Sequence, residues 1–332
     1  MAILWAGQED IDFPKGKWPT RYPGWQSYGR HSLDAGTAPG SAPTYMPCIS
    51  VPFPAGAVTS CWVSARAGGS TNNSGADQLL FGLTKSTKTM GEGLWLKCDN
   101  PVTKIVLCTW NGTAIVELAL DNGNHIGGSA VYHIDMQVIS YGASATVNVY
   151  VDGILAATFT GDVRISSLTD LDQVAFYGDS INGRWVFSEF IVADEDTRPL
   201  RLTTLYPNAA GDSNAWTGAY TVLDEEDLDV SDLAYVNTSD QLALYNLSAT
   251  PAGTFAVKAV QLSARALKSS DSIPTNIALG VKSGGSTDAG SDQALTGIWA
   301  TYQRLMTTNP LTSNPWTTAE LDALQLQLKS RA

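Results

Sequence analysis

Tight-turn dipeptides set between short β-rich runs constrain the fold of this sequence more than any other feature. Asn111-Gly112 and Asp152-Gly153 each lie between two runs of β-forming residues. Such dipeptides are favoured in two-residue hairpins because both central residues take positive φ. The clearest signal is the segment 148–159, which predicts a strand, a turn at Asp152-Gly153 and a second strand.

Alternating or apolar β-rich runs predict strands along most of the chain. The predicted strands cover residues 60–65, 93–97, 104–109, 114–120, 131–140, 145–151, 154–159, 185–192, 235–236, 256–264, 276–282 and 298–305. Short strands separated at this spacing by turn residues are typical of sandwiches and barrels. The sequence therefore predicts an all-β protein of two tandem antiparallel β-sandwich domains.

A polar segment that contains a proline divides the chain in two. Residues 193–200 are mostly charged or polar and include Pro199, which is typical of a boundary between domains. We therefore predict one domain over residues 1–199 and a second over 200–332. The second is expected to open with a loop-rich stretch over residues 206–232.

The C-terminus carries two competing signals. Thr317 and Glu320 have the spacing of a capping box, which begins a helix. Residues 324–329 instead alternate, with leucine at every second position, which favours a strand. We predict one helical turn followed by a final strand whose leucines face a core. A helix continuing through residue 330 is the alternative.

The net charge of −12 argues against anionic partners. A surface of this sign repels phosphate, so we expect no binding to nucleic acid or to anionic lipid. The chain has no apolar run of about 18 residues, so no membrane insertion is expected. Its start lacks a basic region followed by an apolar one, so no signal peptide is expected either.

The four cysteines are Cys48, Cys61, Cys98 and Cys108. They lack the C-x-x-C spacing of zinc ribbons and redox motifs. We expect all four to be reduced and buried, since a free cysteine behaves as a small hydrophobic residue. The alternative is that Cys98 and Cys108 face each other on neighbouring strands.

Three motifs in the first half carry a family likeness. They are Tyr-Val-Asp-Gly at 150–153, Phe-Tyr-Gly at 176–178, and Trp-x-Phe-Ser-Glu-Phe-Ile-Val-Ala-Asp-Glu-Asp-Thr-Arg at 185–198. The pattern resembles the concanavalin A-like, laminin-G-like jelly rolls of tailed-bacteriophage virion proteins. The second half resembles a module that often follows them, with matching stretches at 205–218, 256–265, 281–285, 308–310 and 316–317.

This resemblance implies jelly-roll, lectin-like domains in a virion protein made in the bacterial host cytoplasm. It implies a non-enzymatic component of a tail fibre, spike or appendage. The implied partners are other virion proteins and copies of the chain itself, with a trimer as the expected assembly. Two alternatives stay open, namely a capsid decoration protein and a glycan-binding, lectin-like module that attaches to the host surface. No cofactor is expected.

Catalytic residues have only weak candidates in this sequence. Gly-Asp-Ser occurs at 178–180 and 211–213, and this triplet carries the nucleophile in one class of esterases. Such an enzyme also needs a histidine base, which in that class lies near the C-terminus. His31, His125 and His133 all precede both serines. We therefore expect both triplets to be turns and the protein not to be an enzyme.

No metal site is predicted. His125 falls at a predicted hairpin tip, and His133 falls in an alternating strand where a solvated position is expected. The run Asp224–Asp232 offers six carboxylates, and Ca²⁺ prefers clustered oxygen ligands. This run lacks the spacing of an EF-hand, so we expect a solvated loop. Bound calcium there stays an open alternative.

Aromatic side chains supply the candidate glycan-binding residues. Trp18, Tyr22 and Trp25 lie close together near the N-terminus, and Trp110 precedes the predicted turn at residues 111–112. Aromatic faces can pack against the C–H surfaces of sugar rings. The alternative is that these residues pack an N-terminal arm onto the sandwich.

Overall fold

The computed structural model shows an all-β chain that divides into two compact units, with the change between Leu202 and Thr203. It describes residues 3–7, 49–53, 56–69, 78–88, 91–99, 103–127, 130–165, 167–176, 185–224, 231–269 and 273–332. The predicted antiparallel β-sandwich architecture is confirmed in these residues.

The first unit contains two antiparallel sheets of six strands each. Its strands are β1 (Ile3–Gly7), β2 (Ile49–Pro52), β3 (Cys61–Gly69), β4 (Gln78–Thr84), β5 (Gly93–Cys98), β6 (Ile105–Trp110), β7 (Ile115–Leu120), β8 (Val131–Ile139), β9 (Ala145–Val151), β10 (Ile154–Gly161), β11 (Gln173–Phe176) and β12 (Trp185–Ala193). The first sheet has the order β1-β12-β3-β8-β9-β10, and the second has the order β2-β11-β4-β5-β6-β7.

Aromatic side chains join the two sheets of the first unit. Phe176 of β11 lies 4.0 Å from Phe190 of β12 and 6.4 Å from Trp5 of β1, measured between ring centroids. Strand alternation supplies the rest of the core. In β9 every second residue is buried, so Val147 and Val149 face inward. The intervening residues of β9 therefore face outward, which positions the candidate site described below.

The second unit also packs two antiparallel sheets around one core. Its elements are β13 (Pro207–Asn214), a 3₁₀ turn (Tyr220–Val222), β14 (Leu242–Leu247), β15 (Val260–Ala266), β16 (Asn276–Ser283), β17 (Ser286–Asp288), β18 (Asp292–Ala294), β19 (Ala300–Met306), α1 (Thr318–Asp322) and β20 (Gln325–Arg331). The larger sheet has the order β13-β14-β20-β16-β17 with β18 beside β16, and the smaller pairs β15 with β19. Trp316, Tyr245 and Tyr302 are among the buried residues of the core between them.

The hairpin predicted at Asp152-Gly153 is confirmed. Strands β9 and β10 pair directly across it, and φ is 48° at Asp152 and 80° at Gly153. Both central residues therefore take the left-handed conformation that a type I′ turn requires. This turn also anchors the neighbouring strand, because the Asp152 carboxylate accepts a 2.9 Å hydrogen bond from the backbone N–H of His133.

The C-terminal prediction is confirmed as well. Thr317 caps α1 with its side chain, and Glu320 completes the capping box by accepting from the Thr317 backbone N–H. The helix ends after one short stretch, and β20 follows with Leu328 in the core.

Two features of the second unit differ from the predictions. The stretch expected to be loop-rich contains β13, whose pairing with β14 is interrupted by irregularities and whose side chains are mostly exposed. An edge strand of this kind gives no apolar alternation. Residues 235–236 were predicted as a strand, but Tyr235 forms only an isolated bridge with Thr217.

Three of the cysteines lie within the described residues. Cys61, Cys98 and Cys108 are free and buried, as expected, and burial raises the pKa of the Cys61 thiol to about 12. Cys108 pairs in register with Trp95, whereas Cys98 pairs with Ile105. The strand register therefore keeps Cys98 and Cys108 from facing each other. Cys48 lies outside the described residues.

Within the described residues, no helix has the length and apolar character needed to cross a membrane.

Candidate functional site

The outer face of the first sheet carries a continuous set of polar and aromatic side chains. The sheet register aligns Trp62 with Gln137 and Asn148 in one transverse row. It aligns Ser64 with Asp135 and Tyr150 in the next row. Paired residues on neighbouring strands point to the same side of a sheet. These side chains therefore share the face opposite the core.

An amide row, formed by Gln137, Asn148 and Thr158, crosses strands β8 to β10. The Asn148 side chain donates a 2.9 Å hydrogen bond to Oε1 of Gln137 and accepts a 2.7 Å bond from the Thr158 hydroxyl. Two more hydroxyls, of Thr146 and Thr160, lie 3.3 Å apart on the same strands. Gln137 and Asn148 are half-buried and Thr158 is exposed, so the row borders solvent.

Apolar side chains stand on both sides of the amide row. Leu155 pairs with Tyr150 on one side, and Ile139 pairs with Thr146 on the other. They are 42% and 41% exposed, respectively. The open part of this face thus alternates apolar and hydrogen-bonding groups.

An aromatic stack capped by an arginine borders the amide row. The rings of Trp62 and Tyr150 stack with their centroids 5.6 Å apart and their planes 19° from parallel. The guanidinium carbon of Arg198 lies 4.4 Å from the Tyr150 centroid and 5.3 Å from the Trp62 centroid. Cation–π attraction favours this arrangement.

Asp196 holds the Arg198 guanidinium in a bidentate pair. Nε of Arg198 donates to Oδ1 of Asp196 at 2.9 Å, and Nη2 donates to Oδ2 at 2.6 Å. The Arg198 backbone N–H also donates to the same carboxylate at 3.0 Å. These hydrogen bonds lower the pKa of Asp196, which therefore stays charged at neutral pH.

The segment that follows β12 closes the other half of the outer face. Thr197 and Asp135 are both fully buried, and the Thr197 hydroxyl donates a 2.6 Å hydrogen bond to Oδ1 of Asp135. Burial raises the pKa of Asp135 to about 6. Among the described residues the second oxygen of Asp135 accepts no hydrogen bond, and Nδ1 of His133 lies 3.7 Å from it.

His133 is buried within this closed half, so the solvated position predicted for it is wrong. Successive side chains of β8 point to opposite faces of the sheet, but residues 133–136 are all buried. The segment after β12 covers the side chains that point outward. Burial, together with the nearby positive charges of Arg201 and Arg66, lowers the pKa of His133 to about 4. Nη1 of Arg201 lies 3.5 Å from Nδ1 of His133. A neutral histidine protonated on Nε2 can accept this contact, because its Nδ1 then keeps a lone pair.

Of the four predicted aromatic candidates, only Trp110 lies within the described residues, and it does not belong to this face. Trp18, Tyr22 and Trp25 lie outside the described residues. Trp110 is only 3% exposed and packs in an apolar cluster that includes Trp95 of the second sheet. A sugar could stack on Trp110 only if its neighbours moved.

The site residues were missed because their proximity depends on strand register. Trp62, Asn148 and Arg198 come from three separate parts of the sequence and meet only across the sheet. One signal was available in the sequence. The alternation in residues 145–151 predicts that Asn148 and Tyr150 share one face.

Where the structure describes them, the motifs considered for catalysis and metal binding give no second site. The triplet at 211–213 lies in β13, so the expected turn is wrong there, and Asp212 forms an ion pair with Lys282. The triplet at 178–180 and most of the acidic run Asp224–Asp232 lie outside the described residues. Among the residues that are described, no three His, Cys, Asp or Glu side chains are grouped to hold a metal ion.

No protein-family model and no curated protein matches the sequence. Solved structures give low-level matches. A carbohydrate binding module from Bacillus subtilis has 10% identity and a TM-score of 0.35; the match covers 49% of this chain and 94% of the module. Sheep galectin-11 has 14% identity and a TM-score of 0.31, over 46% and 99%. The alginate lyase Aly36B has 10% identity and a TM-score of 0.36, over 61% and 100%. The antiparallel β-sandwich architecture of this chain rests on its own strand pairing. Likenesses this low carry no conclusion about ligand or activity.

Proposed function

We propose that this protein is a non-enzymatic, lectin-like module that binds a glycan on the outer face of its first sheet. The observation that carries the proposal is the amide row lying between two exposed apolar side chains, Leu155 and Ile139. A sugar ring presents hydroxyls at its rim and C–H groups on its faces. Binding sites for such ligands combine apolar surface with a few placed polar groups.

The amide row is preorganised for hydroxyl recognition. Asn148 uses one donor and one acceptor within the row, and a side-chain amide offers two donors and two acceptor lone pairs. One donor and one acceptor thus remain for a ligand, on a side chain whose orientation its neighbours already fix. Preorganisation of this kind reduces the entropy lost on binding.

The length of the open face suits a short oligosaccharide. Its three transverse rows are those of Tyr150, Asn148 and Thr146, each two residues apart along β9. Three such rows span about 13 Å along a strand. The stack formed by Trp62, Tyr150 and Arg198 borders one end, where the Arg198 side chain is 35% exposed.

Glycan array binding followed by calorimetry tests the proposal. Asn148→Ala removes the centre of the amide row and should reduce affinity by about tenfold or more. Asn276→Ala is the matched control, because it removes a half-buried strand amide of the second unit that bonds to Thr275 and Ala332. Equal affinity of both variants and the wild type would contradict the assignment of the site. Turnover of the bound glycan would contradict the non-enzymatic assignment.

We propose the virion of a tailed phage as the setting of this module. The motifs that resemble phage virion proteins include Tyr150, Thr197 and Arg198, which meet at the candidate site. A fibre, spike or appendage component would bind host glycans there and contact other virion proteins and its own copies, in a trimer.

Immunogold electron microscopy of phage particles tests this setting. Gold at the tail supports the appendage assignment, gold over the head indicates a capsid decoration protein, and no gold rejects the virion. Light scattering of the purified protein tests the trimer.

A further inference from the structure

We infer that the glycan site selects uncharged saccharides and that Asp196 sets this selectivity. The inference rests on the proposed function, because it concerns the ligand class of the same face. It is carried by the way Asp196 occupies Arg198, the arginine that caps the aromatic stack beside the amide row.

Arginine is the side chain best suited to bind a carboxylated or sulfated sugar. Its planar guanidinium donates two parallel hydrogen bonds to such a group. In Arg198 the edge formed by Nε and Nη2 is already filled by the two oxygens of Asp196. An acidic sugar would have to displace this internal carboxylate or lie beside its negative charge.

The backbone strengthens the hold of Asp196 on Arg198. The carboxylate also accepts from the Arg198 N–H, and the intervening Thr197 is tied to Asp135. The pair is therefore fixed within three consecutive residues. Displacing the carboxylate would break the hydrogen bonds that it accepts from Nε, Nη2 and the backbone N–H of Arg198, so an external anion competes at a disadvantage.

The other arginines near this face are also engaged. Nη1 of Arg66 lies 3.3 Å from the Glu189 carboxylate. Nη1 of Arg201 donates to the backbone carbonyls of Arg198 and Leu200. Arg66 therefore has an internal carboxylate as its counter-charge, and Nη1 of Arg201 is already occupied by backbone carbonyls.

The chain contains a matched pair that serves as a control. Arg164 donates to Asp162 from Nε at 3.0 Å and from Nη2 at 2.7 Å, again two residues apart. Its backbone N–H also donates to Asp162 at 3.0 Å. This pair follows β10 and lies outside the aromatic stack. Asp162→Ala therefore exposes an equivalent guanidinium that does not cap the aromatic stack.

The experiment compares lactose with sialyllactose, and cellotriose with a glucuronate-containing trisaccharide, on wild type and variants. We expect the wild type to bind the neutral member of a pair at least about tenfold more tightly than the acidic one. Asp196→Ala should raise the affinity for the acidic member by about tenfold relative to that for the neutral member. The double variant Asp196→Ala with Arg198→Ala should lose this gain. Raising the salt concentration should weaken only the acquired binding.

The outcomes separate the two proposals. If the wild type binds neither these probes nor any glycan of a broad array, the proposed function fails and the inference fails with it. If the wild type binds both members of a pair equally, the glycan site stands and the selectivity is overturned. An equal gain in Asp162→Ala and Asp196→Ala would also overturn it, because the effect would then be general charge.

Discussion

Thr197 donates a 2.6 Å hydrogen bond to Asp135 across a separation of 62 residues in the sequence. Both side chains are fully buried, so neither can exchange this bond for water. The bond fixes the segment after β12 on the outer face of the first sheet. Arg198 follows directly and lies over Tyr150 as a result.

Thr197→Val should destabilise the first unit by about 1–3 kcal/mol, because it leaves a buried carboxyl without its donor. Urea denaturation measures the free energy of unfolding. Thr197→Ser keeps the hydroxyl and is the control. A loss in Thr197→Ser as large as that in Thr197→Val would show that the methyl group, and not the hydrogen bond, is responsible.

Asp135 and His133 should make opposite contributions to the pH dependence of stability. The pKa of Asp135 rises from 3.8 to about 6, so the folded protein keeps a proton that the unfolded chain releases, and stability falls as pH rises through this window. The pKa of His133 falls from 6.5 in the unfolded chain to about 4 in the folded protein. Between these two pH values the unfolded chain binds a proton that the folded protein does not bind, so stability rises with pH. In the wild type the two slopes largely cancel.

Single variants should reveal each slope. Asp135→Asn leaves His133, so stability relative to wild type should increase from pH 4.5 to pH 6.5. His133→Gln leaves Asp135, so relative stability should decrease over the same interval. Urea denaturation at both pH values gives the comparison. Slopes of the same sign in both variants would contradict the assigned shifts.

Two glycine substitutions should differ in cost for different reasons. A Cβ at Gly93 would lie 2.1 Å from the backbone oxygen of Leu83, within the β4–β5 pairing. Gly93→Ala should therefore cost about 3 kcal/mol. At Gly153 nothing lies within 4 Å of the added Cβ, and φ is 80°, so Gly153→Ala should cost about 1 kcal/mol from backbone strain. Thermal melts of both variants compare the two losses of stability. A larger loss in Gly153→Ala than in Gly93→Ala would contradict the prediction.

The capping box at Thr317 should stabilise the second unit measurably. The Glu320 backbone N–H donates to the Thr317 hydroxyl at 3.2 Å. Thr317→Ala should cost about 1 kcal/mol, whereas Thr317→Ser should be nearly neutral because serine caps equally well. Chemical denaturation of the two variants makes the test. An unchanged free energy of unfolding in Thr317→Ala would mean that core packing alone stabilises this turn.

Local chemistry explains why some elements could be predicted from the sequence. The turn at Asp152-Gly153 and the cap at Thr317 depend on residues a few positions apart, so their dihedral angles and hydrogen bonds follow from the sequence itself. Strand β13 could not be predicted this way, because its exposed edge position leaves no apolar alternation.

The candidate site could be predicted only in part. Alternation places Asn148 and Tyr150 on one face, but it does not say which strand lies beside them. Trp62 joins them through the register of β3 with β8 and of β8 with β9. Trp110 was predicted as a candidate because it lies beside a turn. The sequence does not reveal that its side of the sheet is covered and that its ring is buried.

The pairing of β1 with β12 ties residues 3–7 to residues 185–193. Within the described residues, β1 pairs only with β12, so its partner is synthesised after all the other strands of the unit. Trp5 of β1, which is fully buried in the folded unit, stays exposed until β12 has been synthesised. Pairings so distant in sequence slow folding and expose apolar strands to aggregation. Slower synthesis should not let this unit fold in stages, because its first sheet is complete only after β12 has been synthesised.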